Sequence, residues 1–103
     1  MSPNINVAFR EGFQNDTVVV RLNQTEVYQR DELKTRMQIG LADDFEWTAP
    51  AGAAELAVEV PTRRAAKTLS FQVPPQGMVY IGVSIASDGT IHCEVSNEPF
   101  RYA

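Results

Sequence analysis

Apolar and polar residues alternate with a period of two along most of this chain. Ile5, Val7 and Phe9 alternate with Asn6, Ala8 and Arg10, and Glu11-Gly12 then breaks the run. Asn15-Asp16 marks a turn ahead of the β-branched segment 17–22, in which Val18, Val20 and Leu22 share one face. Asn23-Gln24 makes a tight turn into residues 26–29, which closes a first hairpin. Leu56, Val58 and Val60 alternate with Glu55, Ala57 and Glu59 and stop at Pro61, because proline does not continue a central ladder. Leu69, Phe71 and Val73 follow and end at Pro74-Pro75. Val79, Ile81, Val83 and Ile85 form the next face, and Ile91, Cys93 and Val95 the one after it. Between those two, Ser87-Asp88-Gly89-Thr90 carries the strongest hairpin signal, for which a type I′ turn is expected.

Two stretches are less regular. In residues 29–36, Asp31 is placed to cap one helical turn, with Glu32 and Arg36 paired along it. A charged loop is expected there, followed by a strand on which Met37, Ile39 and Leu41 alternate with Gln38 and Gly40. Phe45 and Trp47 alternate with Asp44, Glu46 and Thr48 before Pro50-Ala51-Gly52 closes that strand.

About eight short strands with turn signals roughly every 8–12 residues predict an all-β fold, a two-layer antiparallel β-sandwich spanning residues 1–103 as one domain. The expected core is Val7, Phe9, Val18, Val20, Leu22, Ile39, Leu56, Val58, Val60, Leu69, Phe71, Val79, Ile81, Val83, Ile91 and Cys93. The segment 18–27 with its tight turn, and the repeated proline-ended strands, resemble immunoglobulin-like or transthyretin-like sandwich modules. The resemblance implies a fold and no functional residue, since such sandwiches host many functions and antibody-type paired cysteines are missing.

Composition narrows the function classes. The net charge of −4 argues against a nucleic-acid partner, because phosphate affinity needs clustered Lys and Arg. The one basic cluster is Arg63, Arg64 and Lys67. A lone cysteine precludes an internal disulfide, and no apolar run approaches the ~20 residues of a membrane span. With an N-terminus of Met1-Ser2-Pro3-Asn4, which lacks signal-peptide character, a soluble cytoplasmic protein is expected.

Chemistry-bearing residues are sparse. His92 and Cys93 are strand neighbours, so they point to opposite faces and do not form a dyad. Ser84 sits mid-strand rather than on a nucleophile elbow. Glycine phosphate loops, HExxH and CxxC are absent, and no catalytic residue, cofactor or metal centre is assigned. Asp43, Asp44 and Glu46 are hard oxygen ligands of the kind that hold calcium, but without the EF-hand spacing they read first as a solvated turn that opens a strand. The residues singled out for binding are Tyr28, Trp47 and Tyr80. By parity Tyr28 and Tyr80 fall on outer sheet faces, where an aromatic most often fills across strands and shields the sheet from water, but can also stack on a sugar or dock a protein. Trp47, if it faces inward with Phe45, belongs to the core.

The expected role is a non-catalytic interaction or structural module whose partner is another protein or a second copy, since a small all-β domain must manage its sheet edges. The alternative is a carbohydrate-binding module using Tyr28, Trp47 and Tyr80. If those rings do not assemble, binding falls to a sheet edge or to loops, first the charged segment 31–36 and the basic turn at Arg63 and Arg64.

Overall fold

Strand formation follows the alternation closely in a computed structural model of the chain, which describes residues 4–35 and 41–98. The elements are β1 (Ile5–Phe9), β2 (Asp16–Leu22), β3 (Thr25–Leu33), β4 (Asp43–Trp47), β5 (Gly52–Val60), β6 (Ala65–Val73), β7 (Val79–Ile85) and β8 (Ile91–Ser96). Between β5 and β6 lies one 3-10 turn at Pro61–Arg63. No described helix is long and apolar enough to cross a membrane.

The strands form two four-stranded sheets, one ordered β4-β1-β7-β8 and the other β3-β2-β5-β6. They pack face to face as the expected sandwich. Edge strands β6 and β8 adjoin on one flank, and β3 and β4 adjoin on the other. One pairing departs from the antiparallel expectation: β1 and β7 run parallel, with Val7 opposite Ile81. A short turn forces its two strands antiparallel, but β1 and β7 are joined through the whole second sheet, so no turn dictates their direction.

Between the sheets sit Ile5, Val7, Phe9, Val18, Val20, Leu56, Val58, Val60, Val79, Ile81, Val83 and Ile91, all buried. Burying each such side chain stabilises by about 1.5–3 kcal/mol before chain entropy is counted. Of the expected core, Leu69 and Cys93 are half-buried and pack against it, and Ile39 lies outside the described residues, as does its neighbour Met37. Phe13 and Leu33 are buried but break the alternation that would have marked them. Phe13 meets Phe9 edge-on at 5.7 Å between ring centroids.

The turns use backbone conformations their residues tolerate. Asn23 and Gln24 both take positive φ, 50° and 72°, which suits the tight β2–β3 hairpin. At the β7–β8 hairpin only Gly89 does, at 89°. There the Gly89 N–H donates to Ala86 O, the Ala86 N–H donates to Thr90 O, and the Thr90 N–H donates to the Asp88 carboxylate. The loop is thus the three-residue hairpin that ends in a left-handed glycine rather than a type I′ turn. Gly12, at φ 94°, lets the chain pass Ile85 so closely that a Cβ there would lie 2.0 Å from the Ile85 carbonyl oxygen.

The expected charged loop in 29–36 is instead strand through Leu33. One register shift in the β2–β3 pairing, between Arg30 and Leu33, absorbs its irregular sequence, and Glu32 takes φ 57° there; a second shift lies earlier in β3, between Glu26 and Tyr28. Leu33, buried against the core, anchors the strand end more strongly than one capped helical turn would.

Candidate interaction surface

The structure separates the three aromatics named for binding. At the second bulge of β3, Val20 faces Tyr28 while Arg21 faces Glu26, so Val27 is the extra residue. That slip reverses the expected parity and turns Tyr28 inward, not onto an outer face. Its ring stacks on Phe45 at 4.7 Å and on Phe9 at 4.9 Å. Its hydroxyl donates to Asp43 Oδ2 at 2.7 Å, and Arg30 Nη1 donates to the same oxygen at 2.9 Å. Burial first, then the bond to Asp43 and its negative charge, push the Tyr28 phenol well above its ordinary value. This cluster is a clasp between edge strands β3 and β4 that joins the two sheets.

Trp47 shares a sheet face with Phe45 and stands opposite Ile5, yet it is 40% exposed at the end of edge strand β4. It is not the core residue its parity suggested, because an edge strand has a neighbour on one side only. Tyr80 lies on the other face of the same sheet, half-buried in a row with Asn6 and Ser96. No planar platform joins these rings.

The remaining candidates also disperse. Asp43 points to the clasp, whereas Asp44 accepts a bond from Asn6 Nδ2 at 3.2 Å on the opposite face and Glu46 is exposed. No three His, Cys, Asp or Glu side chains converge as a metal site among the described residues. His92 is exposed beside Ser84 in register, while Cys93 is half-buried with its thiol pushed up by burial.

Arg63 in the basic turn is structural. Its Nε and Nη2 donate to Asp16 at 3.0 and 3.1 Å, and Nη2 also donates to the Gly12 carbonyl at 2.8 Å. Asp16, only 3% exposed, further accepts bonds from the Gln14 N–H at 2.9 Å and the Thr62 hydroxyl at 2.8 Å. Burial alone would raise the Asp16 carboxyl, but these bonds and the Arg63 charge outweigh it and hold the group below the usual carboxylate range. Neither residue of this pair was marked by the sequence pattern as a partner of the other.

Two surface features bear most on binding. At the strand ends near Asn4 and Thr48, a groove of about 800 Å³ is walled by Ala49, Pro50, Pro74, Pro75 and Met78, with no charged side chain in its lining. The second feature is a sheet edge. Proteins blunt exposed edges with short strands, charges, prolines or bulges. Strand β3 carries Glu26, Arg30, Asp31 and Glu32 and two register shifts. Strand β4 is five residues long with Asp43, Asp44 and Glu46, and β8 is six residues long with His92 and Glu94. Strand β6 differs from all three. It runs nine residues in unbroken register against β5, from Gly52↔Val73 to Val60↔Ala65, and Lys67 is its one charged residue. Among the described residues no strand pairs with its free side. The β6 flank also holds Val95 of β8, which is 43% exposed.

Searches for relatives return no matching family model, no matching curated protein and no matching solved structure.

Proposed function

We propose that this chain is a non-catalytic protein-interaction module that receives an extended backbone along the free edge of β6. The observation that carries the proposal is the long, unbulged, nearly uncharged edge strand beside three edges that are shortened, charged or bulged. Strand addition draws its affinity from main-chain hydrogen bonds, so it needs an edge of this kind and no catalytic residue. Immunoglobulin-like kinship remains part of the same proposal. The carbohydrate reading loses its footing because Tyr28 is committed to the clasp and Trp47 and Tyr80 lie on opposite faces of a sheet.

The test compares the wild-type chain with a Thr68→Lys/Ser70→Lys variant as baits in a native-host extract. Both positions are exposed on the outer side of β6, so the substitutions charge the edge without entering the core. Proteins held by the wild type and lost by the variant support the reading. Equal capture by both, or recovery of glycans alone, overturns it.

A further inference from the structure

We propose, resting on the β6 reading above, that the occupant of this edge is a second copy of the same chain, paired antiparallel across a two-fold axis at Leu69. Two β6 strands joined this way merge two four-stranded sheets into one continuous sheet.

The sequence of β6 complements itself about that centre. Opposite residues in an antiparallel pair share a sheet face, so a two-fold pairing places one residue on the axis. With Leu69 there, all nine residues from Ala65 to Val73 find partners. On the outer face Thr68 meets Ser70 and Ala66 meets Gln72. Threonine–serine pairs directly across strands stabilise a sheet through their hydroxyls. On the inner face small meets large, Ala65 against Val73, and Leu69 meets its own copy.

Charge is compatible with the same register. Lys67 stands against Phe71 of the other copy, and the two lysines lie ~14 Å apart along the strand, beyond the Debye length of about 8 Å. Centring the axis on Lys67 instead would oppose the two ammonium groups, and centring it on Phe71 would leave much of the strand unpaired. Although each chain carries a net charge of −4, its acidic residues do not fall on β6, so no carboxylate stands on the strand where the copies meet. Strand β8 adjoins the same flank, and its exposed Val95 gains cover when the flanks come together.

Two double variants test the register by sedimentation equilibrium on the full chain. Thr68→Lys/Ser70→Lys sets lysine opposite lysine twice in each dimer. Thr68→Glu/Ser70→Lys sets glutamate opposite lysine at the same places. In both, the lysine at position 70 neighbours Glu55 of β5, which favours the folded monomer equally. The wild type is expected to dimerise reversibly. The double-lysine variant should raise the dissociation constant about tenfold or more, with unchanged β-type dichroism, and the Glu/Lys variant should recover most of the loss. A wild type that stays monomeric at high concentration overturns the second-copy inference. If that monomer still captures a different protein that the double-lysine variant loses, the β6 interaction reading stands. A dimer indifferent to both variants overturns the β6 register itself.

Discussion

Replacing Asp16 with asparagine keeps the shape of the side chain and removes the charge that organises one end of the sandwich. The carboxylate is 4% exposed and receives two bonds from Arg63, one from Thr62 and one from the Gln14 N–H. In Asp16→Asn one contact to the guanidinium becomes donor against donor, and a cation remains beside Gly12 without its counter-charge. Breaking a buried pair costs about 3–5 kcal/mol, but Arg63 is 25% exposed and water will solvate part of it. A loss of about 2–4 kcal/mol follows, or roughly 10–25 °C in melting temperature for a chain of this size. The pH dependence carries a definite sign. The folded carboxyl is held below its unfolded value of ~3.9, so its stabilisation is complete above that value and is lost as pH falls through the folded one. Urea unfolding of both proteins at neutral pH and in acid measures this directly. A variant within about 1 kcal/mol of wild type at pH 7, or a gap that does not narrow in acid, would refute the reasoning. A double-mutant cycle with Arg63→Met should give a coupling energy of at least about 1 kcal/mol.

Gly12→Ala should cost about 2–5 kcal/mol in thermal unfolding, because its Cβ collides with the Ile85 carbonyl at a φ that also strains alanine; a loss under about 1 kcal/mol would contradict that. Tyr28→Phe keeps the ring stack and deletes the bond to Asp43, so the urea midpoint should fall by the equivalent of about 1 kcal/mol. An unchanged midpoint would mean the clasp rests on stacking alone. Cys93 should react with a thiol reagent much more slowly in the native chain than in denaturant, since burial raises its pKa and restricts access. Equal rates would contradict its packing against the core.

The strand pattern was legible wherever alternation met a turn signal. Pro61 and Pro74 end β5 and β6 where proline must, and Gly89 anchors the β7–β8 hairpin even though the turn type differs. Val58 and Ile81 sit in the core that period two assigns them. What local pattern does not encode is a bulge. Val27 is an ordinary strand residue in sequence, and only pairing with β2 reveals it as the extra one that turns Tyr28 inward. The Asp16–Arg63 pair joins residues 47 apart in sequence, so neither partner announces the other. Trp47 reads as core by parity but sits on an edge strand, and edge position depends on sheet order, which strand sequences alone do not fix. For the same reason β6 attracts notice only once it is known to be an edge. A nearly uncharged nine-residue strand is ordinary in the middle of a sheet and an invitation to pairing at its side.

Amide hydrogen exchange along β6, followed residue by residue from dilute to concentrated protein, tests the free edge most directly. In an isolated edge strand alternate N–H groups bond to β5 and the others face solvent. Dilute protein should therefore show alternating slow and fast exchange from Ala65 to Val73, and the fast set should slow as concentration rises and the edge is occupied. Uniform protection of β6 at every dilution, or an alternation that persists unchanged at high concentration and in the presence of captured proteins, would contradict the assignment of this edge as the interaction surface.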